Sequence, residues 1–160
     1  MSLTFYKYQA TGNDFILVDN RPGSFPKKDT KTISRLCHRR YGIGADGLIL
    51  LESDNSTDFR MVYFNADGRE GSMCGNGGRC AVAFARKLGI IGDSCTFMAV
   101  DGMHTAHFKE DGVSLQMQDV ESIHAKPSYM WLDTGSPHHV QLWQDWEDLD
   151  VKKEGERLRY

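Results

Sequence analysis

Phe64-Asn65-Ala66-Asp67-Gly68-Arg69-Glu70-Gly71-Ser72-Met73-Cys74-Gly75-Asn76-Gly77-Gly78-Arg79-Cys80 and the apolar run after it decide how the chain folds. Met61 to Phe64 reads as a strand, and Asn-Ala-Asp-Gly is turn chemistry. Beyond Cys74, the residues Ala81, Val82, Ala83, Phe84, Ala85 and Leu88 predict a strongly apolar helix closed by Gly89. A helix apolar on nearly all sides belongs in the middle of a domain. Its first turn brings unpaired N–H groups and the positive end of the helix dipole toward the Cys74 sulfur. In such surroundings a thiol becomes a reactive thiolate. The alternative is a small buried cysteine at a tight turn, since free cysteine is among the most buried residue types. The flanking glycines and asparagines favour the reactive reading, because they let backbone approach a small polar ligand closely.

Working outward, 160 residues with 40% apolar content can bury one sizeable core. A net charge of −3 and a pI near 6.0 give no basic patch for nucleic acid or an anionic membrane. No apolar run approaches a membrane span and the first residues lack a signal-peptide pattern, so the expected compartment is the cytoplasm. Cys37, Cys74, Cys80 and Cys95 fall at irregular spacings and are read as reduced thiols. The histidine and cysteine spacings do not make a zinc site, and none is expected.

Leu3 to Gln9 alternates like a half-buried strand, Ala10 to Asn13 is a turn, and Asp14 to Asp19 is a second strand. After a Pro/Gly loop, Asp29 or Thr30 caps a helix carrying Ile33, Leu36 and Cys37 and ending near Tyr41-Gly42. Leu48 to Leu51 and Phe59 to Phe64 are strands. Beyond the central helix, Ser94 to Val100, Met103 to Lys109 and Val113 to Gln118 form hairpins through two Asp-Gly turns. Tyr129 to Asp133 and His139 to Trp143 are strands around Gly135-Ser136-Pro137-His138, and Val151 to Tyr160 is a charged, helical or frayed tail. The expected class is α+β: a mostly antiparallel sheet wrapped around a central helix, rather than alternating βαβ units.

Gly42-Ile43-Gly44-Ala45-Asp46-Gly47 matches G-x-G-x-x-G, but it follows a helix and opens a strand. A dinucleotide fingerprint needs the reverse order. The Cys74 loop lacks the Lys-Ser/Thr of a P-loop, whereas a carboxylate could sit on its N–H groups. Asn13 and Asn65 end strands, where an amide can donate to a carboxylate and accept from an ammonium, or simply cap a turn. His138, after Pro137, either tunes a neighbouring thiol or is an ordinary loop histidine.

Gly12-Asn13-Asp14-Phe15, Gly44-Ala45-Asp46-Gly47, Phe64 to Gly68, Cys74 to Cys80 and Gly135 to His138 resemble the motifs of the diaminopimelate epimerase family in order and spacing. The resemblance covers essentially the whole chain. It implies a cofactor-independent isomerase interconverting LL- and meso-2,6-diaminopimelate, for lysine and peptidoglycan precursors. It also implies a fold of two similar lobes, each a sheet around a helix, with the substrate between them. By position, Cys74 resembles one of two catalytic cysteines. Asn13, Asn65, Gly75 and Asn76 resemble substrate ligands, and His138 the histidine that tunes thiol acidity. No cofactor or metal is implied; a homodimer is an option. Ser136 stands where the family usually has the longer asparagine. The family's second cysteine and its acidic–arginine pair have no counterpart before Tyr160. The resemblance therefore implies a first lobe with Cys74 over residues 1–130, and over 131–160 a crossover and the start of a second lobe that this chain does not contain, leaving it inactive by itself.

Inverting an α-carbon without a cofactor takes a base on one face and an acid on the other, and a thiolate with a thiol suits both roles. A helix dipole contributes only about 0.3–1 kcal/mol to an exposed charge, so direct N–H bonds, desolvation and His138 are expected to add to it. Competing readings are a related isomerase of the same fold, such as an amino-acid racemase or the phenazine-biosynthesis type, and a non-catalytic small-ligand-binding lobe.

Overall fold

The computed structural model describes residues 3–160. It divides into two compact units, Met1–Asp119 and Val120–Tyr160. In the first, the strands are β1 (Tyr6–Ala10), β2 (Asn13–Asp19), β3 (Gly47–Glu52), β4 (Phe59–Asn65), β5 (Ser94–Ala99), β6 (Gly102–Lys109) and β7 (Gly112–Leu115). Helix α1 (Thr30–Cys37) lies between β2 and β3, and α2 (Gly75–Lys87) between β4 and β5. All seven strands form one sheet in chain order.

Four neighbouring pairs are antiparallel, as expected, but β2–β3 and β4–β5 run parallel. The chain thus contains two βαβ crossovers that the hairpin signals concealed. Two-sided burial accompanies the first of these pairings, in Phe15-Ile16-Leu17-Val18 and Leu48-Ile49-Leu50-Leu51. Neither run alternates, and both are buried on two faces, the pattern of parallel strands covered on each side. One core joins α2 to Phe15, Leu17, Ile49, Leu51, Phe59, Met61, Phe97 and Leu115. The other joins Ile33 and Cys37 of α1 to Ile16, Val18, Leu48, Leu50 and Phe64. Alternate residues of the same two strands serve the two cores.

Helix α2 is the buried helix expected, with Phe84, Val82, Ala81 and Ala85 fully enclosed. Its first turn lies close to the sheet. A Cβ on Gly78 would come within 2.9 Å of both the Leu115 and Met73 methyls. The buried Gly77 and Gly78 therefore serve the seating of the helix as well as the loop before it. Leu88 caps the C-terminus and Gly89 follows in the left-handed region at φ 71°, the usual helix stop.

Helix α1 ends at Cys37, four residues before the expected stop. Asp29 caps its start by accepting from Thr32 N at 3.0 Å. At the other end, His38 Nδ1 accepts from the N–H groups of Arg40 and Tyr41, both at 3.1 Å. That extra turn carries the chain to Gly42, whose N–H donates to His38 O. The glycines of the G-x-G-x-x-G segment thus turn the chain between α1 and β3.

The second unit holds β8 (Ile123–Ala125), β9 (Met130–Asp133), β10 (Pro137–Val140) and α3 (Val151–Arg159). The three strands make an antiparallel sheet in the order β10-β9-β8. The exposed β8 gave no periodicity to read, and β10 begins two residues before the expected strand. Asp150 caps α3 by accepting from Lys153 N at 3.0 Å. No described helix is long and apolar enough to cross a membrane.

Candidate active site

The register brings several motifs to one end of the large sheet. Phe15 of β2 pairs with Gly47 of β3, and Gly47 pairs with Asn65 of β4. Asn13, Asp46 and Asn65 therefore mark one edge, although they are far apart in sequence.

Cys74 is the N-cap of α2, half-buried, with extended backbone. Its Sγ accepts from Gly77 N at 3.4 Å. The N–H groups of Gly75 and Asn76, first and second in the helix, have no intrahelical acceptor in any helix of this geometry. Sγ also lies 3.8 Å from Asn13 Oδ1, to which a thiol can donate, and Asn76 Nδ2 donates to the same oxygen at 3.4 Å. Asn13, Cys74, Gly75 and Asn76 thus form one constellation across β2 and α2. Cys37, Cys80 and Cys95 are buried, and burial pushes each of their thiols up to about 11. Cys74 alone combines partial exposure with a helix start.

Asn65 is exposed, and its Oδ1 accepts from the Tyr63 hydroxyl at 3.0 Å. The turn after it is closed by backbone, Gly68 N to Asn65 O, and by Arg69 N donating to Asp67 Oδ1. The Asn65 side chain is therefore spared the turn-capping role open to it from sequence. Burial first, and then the charge of a neighbouring Cys74 thiolate, raise the Tyr63 phenol to about 12. It stays a neutral donor at physiological pH.

His138 belongs to the second unit. It is exposed at the start of β10, with Nδ1 2.6 Å from Ser136 O and 3.4 Å from Thr134 Oγ1. No group of three or more histidine, cysteine, aspartate or glutamate side chains suited to a metal occurs among the described residues.

Behind Asn13 stands a charged group that no sequence signal assigned. Asn13 Nδ2 donates to Asp46 Oδ2 at 2.9 Å, and Asp14 N donates to the same oxygen at 3.2 Å. Arg39 Nη2 bridges Asp46 Oδ1 at 2.8 Å and Asp14 Oδ1 at 2.7 Å, and Lys7 Nζ reaches Asp14 Oδ2 at 2.8 Å. These hydrogen bonds, Asn13's first, hold the Asp46 carboxyl below its ordinary value. Arg39's, likewise first, hold Asp14 far below it. Asp46 sits in the Gly44 to Gly47 motif, but only the fold shows that it faces Asn13.

The fold is shared with solved structures. A phenazine biosynthesis protein of the PhzF family from Bacillus anthracis superposes with a TM-score of 0.61, over 86% of this chain and 53% of that one, at 16% identity. A predicted epimerase from Pseudomonas aeruginosa also gives 0.61, over 99% and 67%, at 13% identity. Those identities speak to fold alone. The sequence goes further, because the diaminopimelate epimerase family model matches residues 5–123. A diaminopimelate epimerase of Flavobacterium psychrophilum is 58% identical over 99% of this chain, and one of Chlorobaculum tepidum 44% identical over 93%. The chain belongs to the diaminopimelate epimerase family. It spans 62% and 61% of the length of those two relatives.

Proposed function

We propose that this chain supplies one proton-transfer half of an epimerase that interconverts LL- and meso-2,6-diaminopimelate in the cytoplasm, with Cys74 as its acid–base group. The observation carrying this reading is the half-buried Cys74 Sγ at the start of α2, within reach of a helical N–H and of Asn13. The family and the names of its relatives support the substrate.

In this reading the thiolate of Cys74 takes the α-proton from one face, and the thiol returns it in the opposite direction. The N–H groups of Gly75 and Asn76 receive the substrate carboxylate and stabilise charge that develops on it. Asn13 and Asn65 orient the α-amino and carboxylate groups. Inversion takes a second acid on the opposite face. The other three cysteines here are buried, so the 160-residue chain is expected to exchange the α-proton without inverting the centre.

The test incubates the chain with LL-diaminopimelate in D2O and follows both α-deuterium and the meso isomer. Deuterium uptake that is lost in Cys74→Ala, with diaminopimelate slowing iodoacetamide labelling of Cys74, supports the reading. Uptake that persists in Cys74→Ala, or labelling of Cys37, Cys80 or Cys95 before Cys74, overturns it.

A further inference from the structure

An asparagine side chain presents an oxygen on one side and an NH2 on the other, and the two are nearly equal in shape. Which end faces a neighbour is settled by the hydrogen bonds around it. For Asn13 the choice matters. The end facing Cys74 either accepts from the thiol or donates to the thiolate, so each orientation stabilises a different protonation state.

Asp46 decides the orientation. An ionised carboxylate only accepts. Its Oδ2 lies 2.9 Å from Asn13 Nδ2, so the amide NH2 must face Asp46 and Oδ1 must face Cys74 Sγ and Asn76 Nδ2. Asp46 is itself fixed. Arg39 binds its other oxygen, Asp14 N donates to Oδ2, and Asp46 N donates in turn to Asp14 O at 3.0 Å. Arg39 and Lys7 hold Asp14.

We propose that Asp46 is a positioning residue for Cys74: by holding the Asn13 amide with its oxygen toward Sγ, it favours the thiol over the thiolate, against the pull of the α2 N-terminus. Gly77 N–H and the helix dipole favour the thiolate, whereas the Asn13 oxygen favours the thiol. Asp46 never touches the reacting atoms and acts only through Asn13. The inference rests on the reading of Cys74 as the reactive thiol. Other ionisable or charged groups around Cys74 are Tyr63 on β4, and Cys80 and Arg79 on α2. Tyr63 and Cys80 titrate far above neutrality, at about 12 and about 11. Arg79 donates through Nε to Val113 O.

The test measures the rate of Cys74 alkylation by iodoacetamide against pH in the 160-residue chain, with peptide mapping to assign the label. In Asp46→Ala, Asn13 is free to turn its NH2 toward sulfur. The profile is expected to move to lower pH, giving about threefold faster labelling on its rising limb, a change of the size of one modest hydrogen bond. Asn13→Ala, which removes the oxygen outright, is expected to move the profile the same way, and adding Asp46→Ala to it should then change nothing more. Asp46→Leu keeps a side chain of similar size while removing both acceptor oxygens, and carries the same expectation if Asp46→Ala does not fold. An unchanged profile in a folded Asp46 variant overturns the inference. So does a shift of equal size in the Asn13→Ala background, which would mean that Asp46 acts by some other route. Labelling at another cysteine in the unsubstituted chain would instead refute the reading of Cys74 itself.

Discussion

Residues next to Asn13 show local backbone preference overridden at a tight turn. The β1–β2 hairpin closes through Thr11 and Gly12, both at positive φ, 53° and 82°. Two-residue hairpin turns of this hand favour Asn-Gly, because asparagine tolerates the left-handed region and a β-branched residue does not. Thr11 Oγ1 donates to Ala10 O at 2.8 Å and Gly12 N donates to Gln9 Oε1 at 3.0 Å, which partly offset the strain. Thr11 is exposed, so its side chain gives no packing in return. Thr11→Asn is therefore expected to stabilise the fold by about 0.5–1 kcal/mol, read as a raised melting temperature, with Cys74 labelling unchanged. A fall in melting temperature would show that the hydroxyl contact outweighs the backbone strain.

Between elements, the chain meets its tightest constraint where α1 hands over to β3. A Cβ on Gly42 would stand 1.9 Å from Arg35 O and 2.6 Å from Leu36 O, both backbone atoms of a packed helix. Gly42→Ala is expected to cost about 1–3 kcal/mol, at the upper end because backbone cannot swing aside, whereas Gly92→Ala, with nothing within 4 Å, should be close to neutral. Equal melting temperatures for the two variants would refute that account. The same junction shows what was legible in the sequence. Strand β3 and helix α1 announce themselves through Leu48 to Leu51 and through Ile33 and Cys37, and the apolar α2 identifies the centre of the fold. The parallel pairing of β2 with β3 was not legible, because an unbroken apolar run fixes two-sided burial but not the direction of its neighbour. The His38 cap was equally hidden, since nothing local distinguishes it from other loop histidines. At the site, Cys74, Asn76 and Asn13 stood out as polar residues at a helix start and a strand end. Arg39 and Asp46 did not, because a pairing across seven residues joins a helix exit to a strand entry only once the fold is known.

Over the whole first unit, the Lys7–Asp14–Arg39–Asp46 group ties β1, β2, the segment after α1 and the start of β3 together, so it links stability to pH. Arg39's hydrogen bonds hold the Asp14 carboxyl well below its ordinary value, and Asn13's do the same more mildly for Asp46. A carboxyl whose value is depressed on folding adds stability above its unfolded value, about 3.9, and that contribution is lost as pH falls toward the folded value. The unfolded chain takes up protons first, so the fold weakens on the acid side of about pH 4 and not at neutrality. Asp14→Asn cancels the charge that Arg39 and Lys7 bind, so the variant is expected to be less stable at pH 7. The difference should then shrink by about 1–2 kcal/mol between roughly pH 5 and pH 2, as the unsubstituted chain loses the same charge. Urea denaturation of both proteins across that range measures it. A gap that stays constant with pH would mean that Asp14 stabilises the fold through its shape and neutral hydrogen bonds, with its charge contributing nothing.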